Sequence, residues 1–82
     1  MLNSSMEKLK GAFIHAFGVG PDSEFEAMAY GHTPRWDSVA HLVLISEIEA
    51  AFDIMLATDE VIGMSSFPKA KEIVARKGIS FT

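Results

Sequence analysis

The chain has 82 residues, 49% of them hydrophobic and 22% charged, which suits one domain spanning residues 1–82 and excludes a disordered tail. It contains no cysteine, so disulfides and cysteine-based zinc sites are excluded, and we expect a cytoplasmic protein. The formal net charge of −4 argues against nucleic acid as a partner, and no apolar stretch approaches the roughly 20 residues of a membrane span.

The first segment predicts a helix that is capped by Ser4. Ser4 and Glu7 have the spacing of a capping box, in which the serine caps the helix and the glutamate reaches back. Apolar residues then recur at spacings of three and four and form one stripe: Met6, Leu9, Phe13, Ala16 and Phe17. The turn-forming sequence of residues 18–21 ends the helix.

Residues 18–36 predict a long ordered loop, because glycine and proline recur along them. A short helix around residues 24–29 is an option. Phe25, Met28 and Tyr30 are too apolar for a fully solvated segment, so we expect this loop to pack onto the core. Ordered loops of this length are uncommon in small domains and are often functional.

The second helix is predicted from Ser38 to Phe52, with Asp37 or Ser38 as its cap. At 100° per residue, one apolar sector contains Leu44, Ile45, Ile48 and Phe52. A second apolar group, outside that sector, contains Val39, Leu42 and Val43. Such a helix is either buried on two sides or presents apolar surface to a partner.

Two further helices complete the predicted fold. Thr58 is expected to cap a short third helix, whose first turn holds Asp59 and Glu60, where the helix dipole favours acids. The last helix is expected to start near residues 66–68 and to stop at Gly78. No convincing strand is present, so the fold class is all-α: a four-helix bundle with three longer helices, a short third helix and a long ordered first loop.

Ser38 is the leading candidate for chemistry. It follows Asp37 and opens the most apolar helix, where an attached anionic phosphodiester would lie beside free backbone N–H groups. Asp-Ser before a helix also satisfies N-capping, so a purely structural role for Ser38 is the alternative. Ser23 follows an aspartate too, but turn residues interrupt the stretch after it.

The stretch from Tyr30 to Gly78 contains Asp37-Ser38-Val39, Leu42, Leu44, Ile48-Glu49, Phe52-Asp53-Ile54 and Thr58-Asp59-Glu60. In these segments it resembles the acyl carrier protein family, which typically shows Asp-Ser-Leu, a helix ending in Glu-x-x-Phe, a short acidic third helix and a last helix. The resemblance implies a bundle of the acyl-carrier type. It also implies that a phosphopantetheinyl transferase attaches 4'-phosphopantetheine from coenzyme A to Ser38, with Asp37 positioning the attachment site.

By the same resemblance, the thiol of the arm would hold acyl groups as thioesters, and the chain would serve enzymes rather than catalyse turnover. Expected partners are the transferase, an acyl- or aminoacyl-activating ligase, and a synthase or acyltransferase of a dedicated pathway, with the carrier itself a monomer. The partner surface is expected on the second and third helices and beside the attachment site: Trp36, Val39, Leu42, Val43, Glu47, Glu49, Asp59 and Glu60.

Two residues near Ser38 have open interpretations. Trp36 is either a contact for the arm or a partner, or a loop anchor packed against the bundle. His41, one turn past Ser38, is expected at the surface or half-buried rather than on the phosphodiester. With His15 and His32 in separate segments, the histidines lack ligand spacing, and no metal site is expected.

The sequence departs from the family pattern around Ser38. Pro34 and Arg35 stand where carriers of fatty-acid synthesis usually have Leu-Gly, and Ala40, His41 and Val43 stand where acids are usual. These departures indicate a specialised carrier of fatty-acid-like, specialised lipid or secondary-metabolite synthesis. The alternatives are an aminoacyl, D-alanyl or peptidyl carrier and, from another class, a small acidic helical interaction module in which Ser38 only caps a helix.

Overall fold

The first helix, α1 (Ser4–Phe17), already includes Ser4, so the prediction that Ser4 caps it is wrong, but the helix buries most of the predicted stripe. The computed structural model describes residues 4–81, so residues 1–3 and 82 of the predicted single domain lie outside the described residues. Leu9, Phe13 and Phe17 are buried, whereas Met6 and Ala16 are partly buried against the core. Gly18 follows the helix with φ +67°, a left-handed conformation that glycine adopts at low cost.

The loop after α1 is ordered and packs on the core, as predicted. Its one helical turn is a 3-10 turn over Phe25–Ala27, which lies within the predicted 24–29. Phe25 and Met28 are buried, but Tyr30 remains about half exposed. The Tyr30 N–H donates to the Ser65 carbonyl at 2.8 Å, which ties the loop to a later connection of the chain.

Helix α2 (Ser38–Phe52) has the predicted bounds. Asp37, one of the two predicted caps, makes the N-cap: its Oδ1 accepts from the Ala40 N–H at 2.9 Å. The buried residues of α2 are the four of the predicted inner sector: Leu44, Ile45, Ile48 and Phe52. The helix ends at Asp53, which adopts the left-handed conformation with φ +54°.

Helix α3 (Thr58–Gly63) is short and buries none of its residues. The prediction that Thr58 caps it is wrong by one residue, because Ala57 is the N-cap and Thr58 is already helical. An alanine side chain accepts no hydrogen bond. Instead, the Glu60 carboxylate accepts from the Ala57 N–H at 2.8 Å, so the helix start is stabilised from its third residue.

Helix α4 (Phe67–Arg76) starts where the sequence predicts. The Ser66 Oγ caps it by accepting from the Lys69 N–H at 3.2 Å, and Gly78 follows the helix with φ +92°. The buried residues of α4 are Phe67, Ala70, Ile73 and Val74.

An aromatic cluster joins the helices and the first loop. The Phe13 ring packs edge-on against Phe17, Trp36 and Phe67, with centroid distances of 5.6, 5.5 and 4.9 Å. The Cα radius of gyration is 11.5 Å, close to the value of about 12 Å expected for one compact domain of this length. Within residues 4–81 the structure has four α-helices and no strand, which confirms the all-α bundle.

Candidate functional site

Ser38 is the first residue of α2 and is exposed to solvent. Because Asp37 provides the cap, the Ser38 hydroxyl is not needed for it, and no hydrogen bond to another described residue engages that hydroxyl. The first N–H groups of a helix and the positive end of its dipole lie at this terminus. A phosphodiester on Ser38 would therefore lie in a favourable electrostatic position.

An open groove begins beside Ser38. Its volume is about 480 Å³, and α2 bounds it on one side while α3 and the connection after α3 bound it on the other. The lining residues are Tyr30, Ser38, His41, Leu42, Ile62, Met64 and Ser65. Most of this lining is apolar, so the groove can accept an apolar chain or ring next to the serine.

Trp36 corrects one prediction. Its side chain is only 3% exposed and lies in the aromatic cluster, 4.8 Å from the Phe17 ring between centroids. A buried indole is not available to a docking partner, so the loop-anchor interpretation of Trp36 is confirmed and the partner-contact interpretation is wrong. Its one polar atom, Nε1, donates to His41 Nδ1 at 2.9 Å.

His41 is half-buried, as one of its interpretations expected. Its second ring nitrogen, Nε2, is 2.8 Å from the carbonyl oxygen of Val61 in α3. The ring stacks on Trp36 with an interplanar angle of 20°, and the Tyr30 ring meets it edge-on. His41 therefore connects the first loop, α2 and α3 at the wall of the groove.

An apolar surface flanks the N-terminal end of α2. Val39, Leu42 and Val43 are 73%, 65% and 41% exposed, so the second apolar sector faces solvent, as one of the two alternatives predicted. On α3, Ile62 is 75% exposed. Large aliphatic side chains this exposed on two neighbouring helices are typical of contact surfaces.

Four acids are expected on the partner surface, and three of them, Glu47, Glu49 and Glu60, make contacts within the chain. Glu47 pairs with His15 at 3.1 Å between Oε1 and Nδ1, an exposed contact of little energetic weight. The Glu49 Oε2 accepts from the Leu56 N–H at 2.9 Å and supports the connection between α2 and α3. Asp59 is exposed on α3. Binding of partners by Glu47, Glu49 and Asp59 stays a prediction.

Glu60 is the fourth acid, and it binds Lys77. The distance between its Oε1 and the Lys77 Nζ is 2.7 Å, and both side chains are largely covered. The hydrogen bond from Lys77 lowers the pKa of Glu60 below the ordinary value of a glutamate, and the Ala57 N–H lowers this pKa further. This contact ties α3 to the end of α4, in addition to any role in docking.

Arg35 adopts a backbone conformation that usually belongs to glycine. Its φ is +73°, so a non-glycine residue sits in the left-handed region three residues before Ser38. Its guanidinium lies over Gly18, where a Cβ would meet Nη1 at 2.6 Å. Backbone strain of this kind concentrates at functional loops.

Ser23 shares the Asp-Ser dipeptide but not the setting. Its Oγ donates to the Gly20 carbonyl at 2.7 Å within a turn, and only the 3-10 turn over Phe25–Ala27 follows it. The two serines therefore differ in both solvent exposure and position relative to a long helix. Ser23 is a matched control for Ser38.

Three contacts of the site were not predicted from the sequence. The hydrogen bond between Trp36 and His41 joins residues five apart across the start of α2. An indole donor and an imidazole acceptor at this spacing are visible in the sequence and could have indicated the contact. The contacts of α3 with His41 and Lys77 are between distant segments, and no local pattern indicates them.

In the described part of the chain, no helix is long and apolar enough to cross a membrane. Among residues 4–81, no three His, Asp or Glu side chains gather into a group that could hold a metal ion. Comparison with protein-family models, curated proteins and solved structures found no match to this chain.

Proposed function

We propose that this protein is an acyl carrier protein whose Ser38 bears a 4'-phosphopantetheine arm. In the attachment reaction, the Ser38 oxygen forms the new bond to phosphorus, the pyrophosphate linkage of coenzyme A breaks, and the adenosine bisphosphate part leaves. The hydroxyl proton passes to the transferase. The arm then holds acyl intermediates as thioesters and presents them to the enzymes of a dedicated pathway.

The observation that carries the proposal is the setting of Ser38. The serine is exposed at the first position of a 15-residue helix, is not needed for the cap because Asp37 makes it, and lines an apolar groove. A serine that only stabilised the helix would be expected to accept the N-cap hydrogen bond itself.

The backbone at Arg35 supports the family assignment. The carriers that this stretch of the chain resembles usually have glycine at the position of Arg35. The φ of +73° at Arg35 is a conformation that glycine adopts without strain. The residue type differs from the family pattern while the backbone conformation suits it. The departure noted in the sequence is thus compatible with a carrier loop.

The test is the intact mass of the protein after incubation with a broad-specificity phosphopantetheinyl transferase and coenzyme A. We expect the wild-type protein and the Ser23→Ala control to gain one phosphopantetheine, and Ser38→Ala to gain none. Circular dichroism establishes that each variant is folded, which is expected because the cap of α2 belongs to Asp37. A folded wild-type protein that stays unmodified with several transferases would contradict the proposal.

The apolar lining of the groove supports acyl cargo over aminoacyl cargo. A chain that enters the groove binds only the folded state and therefore raises the melting temperature, whereas a small polar cargo outside the bundle leaves it unchanged. The measurement compares the melting temperature of the octanoyl and glycyl forms with that of the form carrying the free arm. A rise only in the octanoyl form is expected; no rise in either form would favour the aminoacyl alternative.

The exposed surface formed by Val39, Leu42 and Val43 favours one further candidate, an interaction module without an arm. In that case Ser38→Ala would bind the partner as well as the wild-type protein does, and substitution of Leu42 by Asp would abolish binding. If the protein is a carrier, its partner enzymes act on the arm, and both variants would instead lose turnover by those enzymes. The two candidates are separated by the behaviour of Ser38→Ala.

A further inference from the structure

His41 is hydrogen-bonded through both ring nitrogens. The Trp36 indole is a donor only, so its Nε1–H donates to His41 Nδ1 at 2.9 Å. With Nδ1 acting as an acceptor, the single N–H of a neutral imidazole lies on Nε2, which donates to the Val61 carbonyl oxygen at 2.8 Å. The two partners therefore select one neutral tautomer of His41.

These bonds join three parts of the chain beside Ser38. Trp36 comes from the first loop, and its ring is held among Phe13 and Phe17 at centroid distances of 5.5 and 4.8 Å. His41 belongs to α2, and Val61 belongs to α3. The His41 ring is thus a clip (Trp36–His41–Val61) that ties α3 to the aromatic core.

Helix α3 depends on such polar ties more than the longer helices do, because it buries none of its own residues and packs only the partly buried Val61 against the core. Besides the clip, the contact of Glu60 with Lys77 connects it to the end of α4. Ile62 on α3 and Leu42 on α2 both line the groove beside Ser38. A small displacement of α3 therefore changes the width of that groove.

Protonation of the His41 ring is incompatible with the clip. Both nitrogens of an imidazolium are donors, so an N–H at Nδ1 would face the N–H of Trp36 and the bond between them would be lost. The bond from Nε2 to Val61 survives, but it no longer connects α3 to the buried indole.

The titratable groups on the elements around the ring do not replace the lost bond. The Tyr30 ring meets His41 edge-on, with centroids 5.7 Å apart. On α2, the Asp37 carboxylate is used by the Ala40 N–H. On α3, Glu60 is held by Lys77, and Asp59 is exposed. In the loop, the Arg35 guanidinium lies over Gly18.

We propose that His41 is a positioning residue for the cargo arm: its neutral ring clips α3 to Trp36 and sets the width of the groove beside Ser38, and protonation of the ring breaks the bond to Trp36, so that the clip no longer anchors α3 to the aromatic core. The role of the clip toward cargo rests on the proposed carrier function. The clip itself does not depend on that function.

The first test uses the unmodified full chain and hydrogen exchange followed by NMR. Trp36 is the single tryptophan, so its indole N–H is one resolved signal, and the amides of α3 report the helix. Imidazoles as a class change charge between about pH 8 and pH 5. After correction for intrinsic exchange, we expect the protection factors of the Trp36 indole N–H and of the α3 amides to fall about five- to ten-fold over this range. A fall of this size corresponds to the loss of one hydrogen bond.

Variants of two histidines separate the clip from general effects of pH. His41→Phe keeps a ring but no nitrogen, so its α3 amides are expected to exchange fast at both ends of the range. The glutamine of His41→Gln has an acceptor and a donor, and neither changes charge with pH. The α3 amides of this variant are therefore expected to stay protected at both ends of the pH range. His15→Gln, at an exposed histidine on α1, is expected to retain the wild-type response. Equal α3 exchange in the wild-type protein and His41→Phe at neutral pH would overturn the proposal.

The second test measures the effect on cargo. The arm is loaded as octanoyl phosphopantetheine from octanoyl coenzyme A, and the rate of thioester cleavage by hydroxylamine is measured at neutral pH. We expect cleavage several-fold faster in His41→Phe than in the wild-type protein, with His41→Gln and His15→Gln close to wild type. Equal cleavage in all four loaded proteins would overturn the role of His41 toward cargo. A failure of the wild-type chain to accept the arm would instead contradict the carrier function and leave the exchange test to decide on the clip.

Discussion

Helices α2 and α3 bound the same groove but are held in the bundle by different forces. The inner face of α2 buries Leu44, Ile45, Ile48 and Phe52, whereas α3 buries none of its residues. Apart from the partly buried Val61, which packs against the core, polar contacts hold α3, from His41 to the Val61 carbonyl and from Glu60 to Lys77. The wall that bears Ser38 is therefore fixed by apolar packing, and the opposite wall is adjustable through a few hydrogen bonds.

This difference suits the proposed carrier function. The attachment site must have a defined position for a transferase and for partner enzymes, while a groove for cargo must open and close. Regions held by few buried apolar contacts open at lower free energy than the core does.

Ile48→Ala is expected to have the largest effect, because Ile48 is fully buried on the inner face of α2. Removal of a buried isoleucine to alanine costs about 2–5 kcal/mol of the free energy of unfolding. Urea denaturation followed by circular dichroism measures it. Val39→Ala, on the exposed face of the same helix, is the control and should change this free energy by less than about 0.5 kcal/mol. Similar losses in both variants would contradict the assignment of the two faces of α2.

Asp37→Ala is expected to lower the free energy of unfolding by about 1 kcal/mol, since the carboxylate accepts from the Ala40 N–H at the start of α2. Asp37→Asn keeps the acceptor oxygen and should be nearly as stable as the wild-type protein. The same two variants also probe the proposed role at the transferase. If Asp37→Asn were as destabilising as the alanine variant, the cap would not be the source of the effect.

Glu60→Gln tests the polar support of α3 through its pH dependence. Lys77 and then the Ala57 N–H lower the pKa of Glu60 in the folded state, so the pair stabilises the fold above the ordinary pKa of a glutamate and loses this effect as pH falls through the lowered value. The melting temperature of Glu60→Gln should lie below that of the wild-type protein at neutral pH and converge with it in acid.

Glu24→Gln is the control for this pH dependence, because Glu24 is an exposed acid in the first loop. Its melting temperature should track that of the wild-type protein at every pH. A constant difference between Glu60→Gln and the wild-type protein from neutral to acid pH would show that the charge of Glu60 is not what supports α3.

Ile62→Ala is expected to have the smallest effect on folding, within about 0.5 kcal/mol, because the side chain is 75% exposed on α3. Ile62 nevertheless lines the groove, so the rise in melting temperature on octanoyl loading should be smaller in the variant than in the wild-type protein. Met55→Ala, also highly exposed but outside the groove lining, should keep the full rise. An unchanged rise in Ile62→Ala would place the acyl chain outside this groove.

The helices were predictable because their ends follow local rules. Capping by Asp37 and Ser66, and termination at Gly78, act within a few residues of each helix end. The inner and outer sectors of α2 follow from the helix period, and the structure has both as predicted. The cap of α3 was misplaced by one residue, because the Glu60 carboxylate serves the Ala57 N–H and makes a capping side chain at Thr58 unnecessary.

The candidate site was predictable only in its local part. Ser38 and Asp37 are adjacent, and the sequence alone indicates their place at a helix start. The burial of Trp36 was left open, because it depends on how far the first loop folds back onto Phe13 and Phe17. The contact between His41 and α3 was missed, because residues 20 apart meet only once the whole bundle is assembled.

The most direct test of the central claim is to locate the attached group by tandem mass spectrometry. The protein is modified with coenzyme A and a broad-specificity transferase, and the peptides that contain Ser23 and Ser38 are sequenced. We expect phosphopantetheine on Ser38 and none on Ser23, although both serines follow an aspartate. Attachment at Ser23, or no attachment in a folded protein with any transferase, would contradict this claim.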